Sequence, residues 1–132
     1  MFTVQQAAGP VVEAPVLIDP VAFSPRYDLD RVNGRFSRAG HPLHGRSLGG
    51  RILVCPGVQG GVAGGWAFLA MRGLGVGPAG LVFGNINPVM VQGAVTAEIP
   101  IVAGIDAAFF KRVSDGDIVH IDPAAKTVEI LR

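Results

Sequence analysis

From Ile52 to Ala97 the chain carries one charged residue in 46, Arg72. A helix that faces water normally shows a charged stripe, so this stretch must be covered on nearly every side. Three architectures satisfy that condition. The first is a membrane span, which needs about 20 predominantly apolar residues. Pro56, Gln59, Pro78, Asn85, Asn87, Pro88 and Gln92 interrupt the run, and the span is set aside. The second is the centre of an α/β domain, whose strands read as continuous apolar runs because both faces are buried. The third adds a docked partner over the helices. The second and third are expected together.

Local patterns fill in that centre. Residues 51–55 read as a short apolar strand stopped by Pro56, and 57–61 as a glycine loop. Residues 62–72 have helical length, with Trp66 and Leu69 three apart and Arg72 in the last turn, where a cation suits the helix dipole. Gly80–Phe83 reads as the next strand. Pro88 opens a helix through Ala97, since proline favours the first turn. Residues 100–103 form a third strand, and Asp106 caps a short helix through Val113. The result is β-α-β-α-β, which predicts parallel strands with right-handed crossovers. Upstream, Val11–Ile18 reads as a strand whose Pro15 suggests an edge or a bulge. Downstream, residues 118–121 and 127–131 alternate as a half-buried hairpin should. One mixed α/β domain over residues 1–132 is expected, with residues 1–10 a candidate flexible lead.

Composition narrows the function classes. Half of the chain is hydrophobic (49%), 16% is charged and the net charge is +1, which excludes a disordered tail and gives no global pull toward nucleic acid or an anionic membrane. One cysteine, Cys55, rules out an intramolecular disulfide and any multi-cysteine metal site within the chain. The opening MFTVQQAAGP has neither the basic nor the apolar region of a secretory signal, so a cytoplasmic setting is expected. Charge is concentrated upstream of the centre. Arg26, Arg31, Arg35, Arg38, Arg46 and Arg51 have only Asp28 and Asp30 near them in sequence. They read as a solvated loop face or as an electropositive patch. Phe23, Tyr27 and Phe36 are too few for base stacking.

The strongest local motif is the loop Gly57-Val58-Gln59-Gly60-Gly61-Val62, between a strand and a helix. Open α/β sheets bind ligands outside the carboxyl ends of their strands, and N–H groups at a helix start hold anions. The loop is no P-loop, because no Gly-Lys-Ser/Thr follows. Gly75 to Gly80 has the G-x-G-x-x-G spacing, but it follows a helix and precedes a strand, the reverse of the dinucleotide context. His41 and His44 lack a third metal ligand, and His120 sits in an alternating strand as a structural residue. Cys55 is expected in the core. Asn85 and Asn87 either cap the next helix or face the crevice of the glycine loop, and Ser47 suits a turn.

Three strings carry a resemblance: His41-Pro-Leu-His-Gly-Arg-Ser-Leu-Gly-Gly-Arg-Ile-Leu-Val-Cys-Pro56, Gly93-Ala-Val-Thr-Ala-Glu-Ile-Pro-Ile-Val102, and Asp115-Gly-Asp-Ile-Val119. Together they resemble the small subunit of the aconitase X family over roughly residues 10–132. The resemblance implies a single swivelling β/β/α domain like that of aconitase. It also implies a large-subunit partner, which carries an iron–sulfur cluster or metal ion. The family's activities are the dehydration of phosphomevalonate and of cis-3-hydroxy-L-proline. Its loop reads Pro-x-Gly-Arg/Lys-Gly-Ser-Ser/Thr, and the first serine is the proposed proton acceptor. Here Gln59 stands at the basic position and Gly61 at the serine position. The expected substrate-binding residues are therefore Gly57, Gln59, Gly60, Gly61 and Val62, with no proton-transferring side chain among them.

Three functions compete on these grounds. The chain is the swivel subunit of a heteromeric hydro-lyase for a small hydroxy-carboxylate, inactive alone, with no cofactor of its own and no nucleic-acid or membrane partner. Alternatively it is a non-catalytic binding or regulatory module that kept the fold and lost the serine. The third is a self-sufficient anion-binding domain.

Overall fold

The structure is a computed structural model that describes residues 2–19, 29–30, 34–36, 43, 45–56, 69–85 and 88–131. Its strands are β1 (Phe2–Thr3), β2 (Gln6–Ala8), β3 (Val12–Ile18), β4 (Leu29–Asp30), β5 (Arg35–Phe36), β6 (Ile52–Cys55), β7 (Gly80–Phe83), β8 (Ile101–Ala103), β9 (Ile118–Asp122) and β10 (Thr127–Ile130). The helices are α1 (helical over 69–73), α2 (Pro88–Thr96) and α3 (Ala108–Arg112).

Eight strands form one sheet in the order β1-β10-β9-β3-β6-β7-β8-β2. Strands β3, β6, β7 and β8 are parallel, with Val16 opposite Ile52, Ile52 opposite Gly80 and Leu81 opposite Ile101. The remaining pairs are antiparallel. The expected β-α-β-α-β unit is thus the parallel half of the sheet. The two terminal strands form the expected hairpin, with Asp122 opposite Thr127.

The first residues close the sheet. Phe2–Thr3 pair with β10 at one edge, and Gln6–Ala8 pair with β8 at the other. Only Val4 and Gln5 lie between, and their N–H groups donate to the carbonyls of Lys126 and Ala103. Three peptide units reach at most about 11 Å, so the two edges must curl toward each other. The segment read as a candidate flexible lead is therefore the seam of a curled, barrel-like sheet.

Curling divides the apolar residues into two cores. Inside the curl, Val16, Ile52, Val54, Val82 and Val102 from the parallel half meet Ala14, Val119, Ile121 and Val128 from the antiparallel half. Phe109 of α3 packs among them, fully buried. On the outer face of the parallel half, Leu17, Leu53, Cys55, Leu81 and Phe83 pack with Met71 of α1 and Ala94 of α2. Phe36, Leu43 and Leu48, from the arginine-rich segment, complete this second core. That segment is pinned to the sheet by apolar side chains.

Pro15 departs from expectation. It lies in the interior of the sheet, opposite Ile118 of β9 and one residue before the pairing with β6 begins at Val16. The N–H of Val16 points to the β9 side, where it donates to Asp117. By alternation the missing N–H of Pro15 points to the β6 side, at a position that no ladder bond requires.

Candidate functional site

The glycine loop leaves the sheet at the carboxyl ends of the parallel strands. There the ladder continues one residue past each strand: Asp19 N–H donates to the Val54 carbonyl at 2.8 Å, Gly84 N–H to Cys55 at 3.1 Å, and Gly104 N–H to Phe83 at 3.0 Å. Pro56, the last described residue before the loop, follows Cys55 directly and is exposed. Gly57, Gln59, Gly60, Gly61 and Val62 lie outside the described residues, as do Trp66, Asn87, His41 and His44. The residues at the root of the loop are Asp19, Cys55, Pro56, Gly84 and the exposed Asn85.

Two of these escape a reading of the sequence. Asp19 is fully buried, which is rare for a carboxylate. It sits beside Cys55 in register. The alternation that turns Leu17, Leu53 and Cys55 toward the helices extends to it. Gly84 lies on the other flank of Cys55. A Cβ on Gly84 would lie 2.6 Å from the Pro56 carbonyl oxygen and 3.2 Å from Cε2 of Phe110. The glycine therefore lets the loop root approach β7. Nothing in the local sequence singles out Gly84 among 19 glycines, because the constraint comes from β6 and α3.

The arginine-rich segment has a distant counter-charge. Arg46 lies 3.2 Å and Arg51 3.8 Å from Oδ2 of Asp115, while Oδ1 accepts the N–H of Ile18 at 3.0 Å. Arg51 also donates to the Val16 carbonyl. Backbone bonds to Gly116 and Asp117 end at Val16, so at Ile18 the Asp115 carboxylate supplies the acceptor that a neighbouring strand would have offered. Burial raises the Asp115 carboxyl, but the Ile18 N–H, Arg46 and Arg51 outweigh it and hold the group below its ordinary value. Asp115 offsets one of the two positive charges on Arg46 and Arg51 and ties both side chains to the fold. Arg35 is exposed, and Arg26, Arg31 and Arg38 lie outside the described residues. Two strings that carried the resemblance, residues 41–56 and 115–119, meet at this ion pair.

Other candidates resolve as structural. Cys55 is buried in the outer core. His120 Nδ1 lies 3.2 Å from Glu13 across the β3–β9 pair. Ser47 Oγ accepts the Gly49 N–H in a turn, and Asp106 Oδ1 accepts the Ala108 N–H at the start of α3. Gly75 to Gly80 joins α1 to β7, away from any strand-to-helix turn. Among the described residues no group of three His, Cys, Asp or Glu could hold a metal ion, and no helix is long and apolar enough to cross a membrane.

Comparison with known proteins agrees with this geometry. The family model of the aconitase X swivel domain matches residues 1–130. The phosphomevalonate dehydratase small subunit of Methanopyrus kandleri is 33% identical, over 87% of this chain and 85% of that protein. Its counterpart in Methanothermobacter thermautotrophicus is 35% identical over 82% of each chain. Among solved structures, Thermococcus kodakaraensis aconitase X in its holo-form superposes with a TM-score of 0.90 at 25% identity, covering 99% of this chain and 98% of that one. The solution NMR structure of a UPF0107 protein superposes with a TM-score of 0.91 at 28% identity over the whole of both chains.

Proposed function

This chain belongs to the aconitase X swivel-domain family, and from that premise we propose that it is the small subunit of a two-subunit hydro-lyase acting on a small hydroxy-carboxylate. The observation that carries the proposal is the match in sequence and length to relatives that are themselves named small subunits of a dehydratase. A chain that spans most of such a subunit is the counterpart of one component, and its large partner completes the enzyme.

The division of labour follows from the residues. An iron–sulfur cluster or metal ion does not fit the described part of this chain, whose one cysteine is buried in the core, so the proposal places that group on the large subunit. Dehydration removes a proton from carbon and expels a hydroxyl. The glycine loop of this chain has no side chain that exchanges a proton at Gly61, and no cation at Gln59. Gly60 and Gly61 contribute backbone N–H groups that hold a substrate carboxylate or a developing oxyanion. The proton acceptor then belongs to the large subunit. The weak cation content of the loop favours a small acid such as cis-3-hydroxyproline over a phosphorylated one. The uncharged exposed side of α2, with Gln92, Val95 and Thr96, supports a partner-facing helix layer, and the nearby Arg72–Glu98 pair neutralises itself.

A second reading rests on Gly61 alone: a regulatory module that kept the fold and binds the large subunit without taking part in chemistry. Reconstitution separates the two. A large subunit of the aconitase X family from the same organism is assayed for dehydration of cis-3-hydroxy-L-proline and phosphomevalonate, with and without this chain. The hydro-lyase reading expects turnover only when both chains are present, and a stable heteromer at micromolar concentration. Equal turnover by the large subunit alone supports the regulatory reading, and a monomeric small chain beside its partner overturns both.

A further inference from the structure

We infer that Glu98 is a docking residue for the large subunit: its carboxylate, set beside Arg72 in an otherwise uncharged helix layer, receives a basic side chain from an apolar surface of that partner. The inference rests on the proposed function, since it names a contact through which the proposed heteromer is held.

Helices α1 and α2 end in the same way. Past α1, the N–H of Gly75 donates to the Arg72 carbonyl and that of Val76 to Met71, both at 3.0 Å. Past α2, the N–H of Glu98 donates to Val95 at 3.1 Å and that of Ile99 to Ala94 at 2.9 Å. The second residue beyond each helix is left-handed, with φ 74° at Gly75 and 59° at Glu98. Glycine suits that position, and α1 has it. A residue with a Cβ is strained there, because the Cβ crowds the following carbonyl. Glutamate is a poor choice on a second count. The carboxyl end of a helix carries partial negative charge, which disfavours a carboxylate.

The ion pair does not offset these costs. Arg72 reaches the Glu98 carboxylate at 3.5 Å and its carbonyl at 3.4 Å, both long contacts. The two side chains are 52% and 80% exposed, and pairs of that kind add little to stability. Strain from which the fold gains nothing points to work done by the side chain itself.

The surroundings say what the carboxylate meets. Apart from Arg72, no residue from 52 to 97 is charged. The exposed residues of the two helix ends are Ala70, Leu74, Gln92, Val95 and Thr96, beside the pair itself. Docking on this layer strips water from no lone charge, because Arg72 and Glu98 compensate each other. Glu98 is the more exposed of the two, so the outermost charge is negative. The complementary surface is therefore apolar with one cation set against Glu98, and the proposed heteromer supplies the partner to carry it.

The test sets stability against affinity. Melting temperature is measured on the full chain, and Kd against a large subunit of the aconitase X family from the same organism. The variants are Glu98→Gly, Glu98→Gln and, as a control on the antiparallel face, Glu129→Gln. Glu98→Gly should raise the melting temperature by about 2–4 °C and weaken binding about tenfold. Glu98→Gln keeps the strain and removes the charge. It should hold the melting temperature within about 2 °C and weaken binding by a similar factor, most at low salt. Glu129→Gln should change neither. A lower melting temperature in Glu98→Gly assigns Glu98 to the fold and overturns the inference. Wild-type affinity in either Glu98 variant also overturns it and leaves the proposed function standing. A wild-type chain that binds no such subunit overturns the proposed function and the inference with it. A dimer of the isolated chain that Glu98→Gln abolishes assigns the layer to a second copy and overturns the inference alone.

Discussion

The two halves of the curled sheet obey different rules although they share strand β3. In the parallel half every residue of β6, β7 and β8 is buried, because the inner core covers one face and the helices with the arginine-rich segment cover the other. In the antiparallel half burial alternates: Val119 and Ile121 point inward, while Ile118, His120 and Asp122 are only half-buried. Strand β3 changes rule along its own length. Glu13 is exposed where it pairs with β9, whereas Val16 and Leu17 are fully buried where it pairs with β6. The absence of charge from β6, β7 and β8 is therefore the signature of two covered faces.

Adjacent residues break or confirm that contrast most sharply. Ile52 faces the inner core and Leu53 the outer one, and both are fully buried. Ile52→Ala and Leu53→Ala should each destabilise the chain by about 2–5 kcal/mol in urea titration, the range for large-to-small core changes. The matching neighbours in β9 should differ: Ile121→Ala by about 2–5 kcal/mol, His120→Ala by no more than about 0.5 kcal/mol. A large loss at His120 would mean that the antiparallel half is covered on its outer face too.

A smaller effect is expected where the two halves join. Asp115→Ala removes the acceptor for the Ile18 N–H and the counter-charge of Arg46 and Arg51. The loss should be about 1 kcal/mol, the net value of a partly exposed hydrogen bond. Because the folded state holds this carboxyl below its ordinary value of about 3.9, its contribution is full above that pH and disappears as pH falls through the lower folded value. The stability gap between wild type and Asp115→Ala should thus stay constant from neutral pH down to about pH 4 and close below it. A gap that persists in stronger acid would assign the effect to packing.

The smallest effect belongs to the exposed face. Glu13→Gln weakens one cross-strand pair with His120, and the change should stay below about 0.5 kcal/mol and vanish in 1 M salt. A salt-independent loss would show that this face carries more of the fold than its exposure implies.

The sequence alone determined the elements whose burial leaves a local pattern. Gly80–Phe83 has the bounds expected of it, β6 and β3 agree to within one residue, and the helix opened by Pro88 runs to Thr96. The family resemblance and the two departures in its loop, Gln59 and Gly61, were also legible, because they are strings of neighbouring residues. Tertiary structure decided what depends on residues far apart. Phe2–Thr3 and Gln6–Ala8 show no pattern longer than three residues, and they become strands only because β10 and β8 offer open edges. Arg46 and Arg51 lie 69 and 64 positions from the acid that pairs with them, beyond the reach of any local charge count. Gly84 is one glycine among many until the Pro56 carbonyl and the Phe110 ring arrive from two other elements, and the space they leave admits no side chain.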